Sequence, residues 1–153
     1  MPDSIQIIRR NAEVNRWHSR CLIGSILLYV GCMFVVPYNA GDIPSLRSGG
    51  WAELLGGWMG MLYGYYAWLA NPLLFTAWMF AAHQVRAAAM AAATIAMLFA
   101  LSFVLHDEIP INEAPDYATI HLNAAGYWLW LASILLALVD GVLLTPNVKE
   151  HRQ

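Results

Sequence analysis

The side chains best suited to chemistry are concentrated in one segment, His106 to His121. Its two terminal histidines bracket four carboxylates, and the segment has no lysine or arginine: Asp107, Glu108, Glu113 and Asp116. Imidazole and carboxylate together form a ligand set for zinc or another divalent transition metal. No recognised ligand spacing such as HExxH is present. A solvated acidic loop, or a docking surface for a protein partner, therefore fits the segment better than a metal site.

Two polar side chains, Asn71 and Asp140, lie inside apolar runs. A carboxylate there is a functional hypothesis by default, because charge is costly in hydrocarbon. Asp140 is about one turn from the end of its run, where it can reach the interface or pair with Arg86. Asn71 precedes Pro72, which leaves the carbonyl of Trp68 without its helical donor, so we expect Asn71 to hydrogen-bond the interrupted helix. The alternative is a polar path formed by Asn71 and Asp140.

The composition predicts an integral membrane protein of one domain. Of 153 residues, 59% are hydrophobic and only 12% are charged, against about 25% charged in soluble proteins. The net charge of −2, with no basic cluster outside the ends, excludes a nucleic-acid partner. Cys21 and Cys32 form no CxxC pair, and we expect them to be small buried side chains.

Four apolar segments predict an all-α fold, a membrane-embedded four-helix bundle. The spans are expected at about 21–37, 58–82, 87–105 and 122–144. The preceding residues 1–20 are predicted to form a basic amphipathic helix against the lipid headgroups. Residues 51–57 contain Trp51 and Glu53, which favour a position in the interface before the second span.

The basic residues indicate the orientation of these spans. Seven of the eight fall on one side: Arg9, Arg10, Arg16, Arg20, Arg86, Lys149 and Arg152. Only Arg47 falls on the other side, beside six acidic residues. The positive-inside rule therefore places both termini in the cytoplasm and predicts a multi-pass protein of a bacterial inner membrane.

Small residues spaced four apart predict the seams between the second, third and fourth helices. The predicted packing positions are Gly56, Gly60 and Gly64 in the second helix, Ala88, Ala92 and Ala96 in the third, and Ser133, Ala137 and Gly141 in the fourth. We expect the alanine row to pack against the glycine face.

The chain has no nucleophile–base set and no phosphate loop, which favours a non-enzymatic protein without a cofactor. The acidic face and an aromatic rim that includes Trp51 and Trp128 predict recognition of a protein partner. The alternative is a homo-oligomeric transporter or channel subunit that uses Asn71 and Asp140. A second alternative is a metal-dependent membrane enzyme that uses His106 and His121.

Two segments carry a family resemblance, YYAWLANPLLF at 65–75 and GYWLWLAS at 126–133. Through them the chain resembles small proteobacterial four-span membrane proteins of unassigned role. In size and layout it is also similar to immunity proteins that protect bacteria from membrane-targeting toxins. The second resemblance implies binding of a toxin, but fold does not fix function. Service as an accessory subunit of a membrane complex is the other concrete form of the predicted partner binding.

Overall fold

The computed structural model describes residues 2–40, 49–110, 116–122 and 124–144, and this part of the chain is mostly helical. Its α-helices are α1 (Pro2–Met33), α2 (Gly50–Gly56), α3 (Ala70–Ala82), α4 (Arg86–Ser102) and α5 (Ala125–Leu143). Its strands are β1 (Asn39–Ala40), β2 (Glu108–Pro110) and β3 (Tyr117–His121). Three 3-10 segments complete the regular structure: Gly57–Tyr63, Tyr66–Leu69 and Phe103–Leu105.

The predicted helical character is confirmed. By length and composition, two helical segments of the described residues are suited to cross a membrane, Arg86–Leu105 and Ala125–Leu143. They correspond to the third and fourth of the predicted spans.

Helices α1 and α5 run antiparallel and share a buried seam. The buried positions recur every seven residues on both helices: His18, Ser25 and Cys32 on α1, and Gly126, Ser133 and Asp140 on α5. The Ser25 hydroxyl donates to the Ser133 carbonyl over 2.7 Å, and the Ser133 hydroxyl donates to the Ser25 carbonyl over 2.8 Å. Because a seven-residue repeat keeps the same faces of two helices together, these bonds fix which turn of α1 lies against which turn of α5.

Alanines form the packing surface of α4, which contacts both α3 and α5. Ala92 and Ala96 are buried at two of the predicted seam positions. Ala88 is only partly buried, whereas its neighbour Ala89 is buried together with Ala93. The buried face is therefore rotated from the predicted one at the start of the helix.

Small residues of α5 allow close approach of its neighbours. Ser133 and Ala137 are buried, as is Gly141. A Cβ atom added at Gly141 would lie 3.0 Å from the side chain of Met90 on α4. Because nine in ten real Cβ contacts are longer than 3.4 Å, this glycine permits the α4–α5 contact.

The predicted glycine face does not form, because residues 58–82 are not one continuous α-helix. Helix α2 ends at Gly56, and the chain continues as the 3-10 segment Gly57–Tyr63. Gly64 then adopts a left-handed conformation with a φ of 87°. Since a 3-10 helix has three residues per turn, Gly56, Gly60 and Gly64 do not share the face that their spacing predicts.

Pro72 does not interrupt a helix, contrary to the prediction, but lies in the first turn of α3. The N–H groups of a first turn have no acceptor within the helix, so proline is tolerated there. The Pro72 carbonyl accepts a hydrogen bond of 2.7 Å from the Thr76 hydroxyl.

The acidic segment contains strands, not an irregular loop throughout. Strand β3 pairs antiparallel with both β1 and β2, which gives the order β1-β3-β2. The register places Glu108 opposite Thr119 and Asn39 opposite His121. The sheet therefore connects the chain that follows α1 with the chain between α4 and α5.

Close backbone packing predicts that alanine at Gly126 destabilises the fold. A Cβ atom there would lie 2.6 Å from the carbonyl oxygen of Val36, whereas one at Gly31 would meet nothing within 4 Å. We expect Gly126→Ala to lower the free energy of unfolding by about 1–3 kcal/mol and Gly31→Ala to cause no loss. Denaturant titration of both variants in detergent micelles measures the difference, and equal stabilities would contradict the packing described.

Candidate functional site

A cavity of about 530 Å³ lies at the end of the bundle where α1 ends and α5 begins. Its walls are the last turn of α1, the extended chain as far as Tyr38, helix α2 with the 3-10 segments after it, and the first turns of α3 and α5. Most lining side chains are apolar or aromatic. Volume and lining are both typical of small-molecule sites.

Two glycines bring α2 and α5 close enough to the end of α1 to form these walls. A Cβ atom at Gly50 would lie 2.5 Å from the carbonyl oxygen of Cys32, and one at Gly126 would lie 2.6 Å from that of Val36. The Gly50 N–H donates to the carbonyl of Val35 over 3.1 Å, and the Gly126 N–H donates to that of Val36 over the same distance. Backbone hydrogen bonds thus hold the walls together at contacts that only glycine permits.

Glu53 is the acidic group of the cavity, and it is partly buried. Its Oε1 accepts a hydrogen bond of 3.0 Å from the Tyr38 hydroxyl. Burial raises the pKa of Glu53, because loss of water penalises the charged form, and the hydrogen bond from Tyr38 opposes part of that rise. Burial also raises the pKa of Tyr38, and the charge of Glu53 adds to this effect. The pair is a carboxylate that one hydroxyl group holds within a mostly apolar wall.

Asn71 lies on the cavity wall deeper in the bundle and is 8% exposed. Its Oδ1 accepts two hydrogen bonds, from the Tyr29 hydroxyl over 3.1 Å and from the Trp130 Nε1 over 3.0 Å. The side chain is therefore held in one orientation by two aromatic donors. Both bonds use the amide oxygen. The amide Nδ2 makes no hydrogen bond within the described residues.

Aromatic rings form a continuous side of the cavity. The ring centroids of Tyr38 and Phe103 are 5.3 Å apart, those of Phe103 and Tyr127 are 5.9 Å apart, and those of Tyr127 and Trp130 are 6.0 Å apart. The Tyr127 hydroxyl donates to the carbonyl of Ala100 over 3.0 Å, which fixes the position of that ring. Rings at these separations stabilise one another.

A second polar cluster lies at the opposite end of the bundle. His18 Nδ1 is 2.6 Å from Oδ1 of Asp140, and Gln84 Nε2 is 3.0 Å from His18 Nε2. With the amide of Gln84 as donor, His18 Nε2 is the acceptor, and we assign the ring proton to Nδ1, which donates to Asp140. Asp140 is fully buried, and its Oδ2 has no hydrogen-bond partner among the described residues.

The partner of Asp140 is therefore His18, not the Arg86 of the prediction. Sequence reasoning missed His18, although a signal was present in the spacing. His18 and Ser25 are seven residues apart, as are Ser133 and Asp140. A shared repeat in two apolar segments indicates that the polar residues meet across an antiparallel pair.

Asn71 and Asp140 do not come together, so the predicted polar path between them does not form within the described residues. Trp130, the donor to Asn71, is ten residues from Asp140 along α5, which corresponds to about 15 Å. The reciprocal bonds between Ser25 and Ser133 lie between the two sites. Each polar site is instead bonded to its own neighbours.

The acidic residues predicted to bind a partner lie on the surface, and Glu113 falls outside the described residues. Asp107, Glu108 and Asp116 are exposed. Trp51 is 56% exposed and Trp128 is 53% exposed. These side chains are accessible, and partner binding by them stays a prediction.

The two histidines of the acidic segment have different surroundings. His106 packs its ring against Tyr65 with the centroids 4.5 Å apart, whereas His121 is exposed at the end of β3. Across the described part of the chain, no three or more His, Cys, Asp or Glu side chains are grouped so that they could hold a metal ion. A metal site at His106 and His121 stays a prediction.

Comparisons with family models, with curated proteins and with solved structures return no match for this chain. The resemblances to four-span bacterial proteins and to immunity proteins therefore stay predictions. The cavity and its side chains are therefore the features of this protein that bear on its function.

Breaking the buried pair of His18 and Asp140 should cost more than replacing it. In His18→Leu, the Asp140 carboxyl group stays buried without its partner, and we expect a loss of about 3–5 kcal/mol in the free energy of unfolding. The double variant His18→Leu/Asp140→Leu should recover most of that loss, because both polar groups are gone. Unfolding in mixed micelles measures all three proteins. A double variant no more stable than His18→Leu would contradict the pairing.

Proposed function

We propose that the protein is a multi-pass membrane protein that binds an amphipathic small molecule in the cavity between α2, the 3-10 segments and the ends of α1 and α5. The observation that carries the proposal is the cavity itself, about 530 Å³ in volume. This size falls within the range of about 300–1,000 Å³ that is typical of ligand pockets.

The surface supports a membrane location. Only 28% of the most apolar part of Arg86–Leu105 is buried within the protein, and only 39% of that of Ala125–Leu143. Large apolar side chains are also exposed on α1 and just after it: Ile23, Leu27, Val30 and Phe34. An exposed apolar surface of this extent on several helices is stable against lipid tails.

Element lengths support four crossings. Helix α3 has 13 residues, which span only about 20 Å of a hydrocarbon core about 30 Å thick. The preceding 3-10 segment, Tyr66–Leu69, adds about 8 Å. With this extension, α3 reaches nearly across the core beside α1, α4 and α5, and the four form the proposed bundle.

The distribution of charge supports the orientation. Arg16 and Arg20 on α1, and Arg86 at the start of α4, belong to the end of the bundle that contains His18 and Gln84. The positive-inside rule assigns that end to the cytoplasm of a bacterial cell. The cavity and the sheet formed by β1, β3 and β2 then lie at the outer side of the inner membrane.

The lining supports an amphipathic ligand. Aromatic rings along one side match an apolar body, while Glu53 and Asn71 provide two separate polar contacts. Few polar groups among apolar walls fix the orientation of a ligand without great cost in desolvation. A purely apolar ligand would leave Glu53 in an apolar wall with Tyr38 as its one hydrogen-bond donor within the described residues.

Binding of an uncharged fluorescent amphiphile tests the proposal. N-phenylnaphthylamine is added to the protein in maltoside micelles, and energy transfer from the tryptophans, of which Trp68 and Trp130 line the cavity, is recorded. We expect the transfer to saturate with added probe. Gly56→Leu and Ala52→Leu, which add bulk to the lining, should weaken binding about tenfold, equivalent to about 1.4 kcal/mol.

Gly31→Leu is the matched control for that experiment. Gly31 and Gly56 both have open space beside them, but only Gly56 lines the cavity. The control should bind the probe as the original chain does. Absence of saturable transfer, or equal binding by all three variants, would contradict the proposed function.

A further inference from the structure

The cavity has an unbalanced charge. Among the described residues that line it, Glu53 is the only side chain of the Asp, Glu, Lys, Arg and His types. The buried contact between His18 and Asp140 lies at the other end of the bundle. When Glu53 is ionised, the described lining of the cavity therefore offers a ligand a negative potential.

The hydrogen bonding of Glu53 leaves capacity for a cation. The Tyr38 hydroxyl occupies Oε1 at 3.0 Å, while Oε2 has no hydrogen bond within the described residues. A hydroxyl donor stabilises the ionised form of a carboxyl group, although burial opposes it and raises the pKa of Glu53. A positively charged group beside Oε2 would favour ionisation further and would replace the water lost on burial.

The aromatic side of the cavity also suits a cation. The Tyr38 hydroxyl donates to Glu53, and the Tyr38 ring packs against Phe103 at a centroid distance of 5.3 Å. Tyr38 and Phe103, with Tyr127 and Trp130 beyond them, form what we call the aromatic row. The carboxylate is therefore adjacent to this row. The negative faces of such rings attract organic cations, and quaternary ammonium ligands are commonly recognised by aromatic rings.

We infer that the ligand of this cavity is an organic cation, an ammonium group on an apolar body, with the ammonium beside Glu53 and the body along the aromatic row. This inference rests on the proposed function, since it requires the cavity to be a binding site. An anionic headgroup beside an ionised Glu53 is unfavourable, because like charges repel at close range.

Competition among amphiphiles with one chain and different headgroups tests the inference. Dodecyltrimethylammonium, dodecyldimethylamine oxide and dodecyl sulfate, each below its micelle-forming concentration, displace N-phenylnaphthylamine from the protein in maltoside micelles. We expect the cation to displace the probe at a concentration at least about tenfold lower than the other two, a difference equivalent to about 1.4 kcal/mol. Glu53→Gln should remove this preference, so that the three headgroups displace the probe at similar concentrations.

Glu13→Gln is the charge-matched control, since it removes one acidic group from the exposed surface of α1 and not from the cavity. It should keep the preference for the cation. Equal displacement by all three headgroups in the original chain, or an unchanged preference for the cation in Glu53→Gln, would overturn the inference. Saturable binding of the probe would in either case still support the cavity as a binding site. No probe binding in any variant would instead contradict the proposed function.

An ammonium group reaches such a site either on a lipid or on a soluble amphiphile. Phosphatidylcholine added to the same micelles distinguishes the two sources. Displacement of N-phenylnaphthylamine by the lipid assigns the ammonium to a lipid headgroup, and displacement by dodecyltrimethylammonium but not by the lipid assigns it to a single-chain amphiphile. With either source of the ammonium group, we expect the preference for the cation to depend on Glu53.

Discussion

The seam between α1 and α5 is the constraint on which the rest of the structure depends. His18 with Asp140, and Ser25 with Ser133, form two buried polar layers, and each polar group has its partner at one register only. A shift of one turn would leave these groups unpaired in an apolar interior, which is costly. The register in turn brings the chain after α1 against Gly126, where two backbones meet. The cavity wall is a consequence of this alignment.

The cavity arises because α3 is too short to cover the whole bundle. It begins only at Ala70, and the space beyond it is covered by α2 and by two 3-10 segments. Short elements joined at Gly64 do not fill that space as a long helix would. Asn71 is held there by two aromatic donors, and Glu53 by Tyr38. The same departure from regular helix thus produces both the space and its polar contacts.

The sequence predicted what depends on composition and on regular spacing, and it failed where tertiary contacts decide. Apolar runs correctly indicated a helical fold, including the segments of α4 and α5. Glycines four apart predicted an α-helical face at Gly56 to Gly64, but the left-handed Gly64 is a property of the turn that spacing does not reveal. The partner of Asp140 lies 122 positions away in the chain. This partner could be predicted only from the seven-residue repeat that both helices share. Predicting the cavity would in addition have required the register between the two helices.

Native mass spectrometry of the protein released directly from its membranes tests the central claim, that the cavity holds a natural amphipathic ligand. The account predicts a second peak heavier than the chain by the mass of one small organic molecule, and loss of that peak in Gly56→Leu and Ala52→Leu but not in Gly31→Leu. A chain that carries no bound molecule, or an added mass that all three variants retain, would contradict the account.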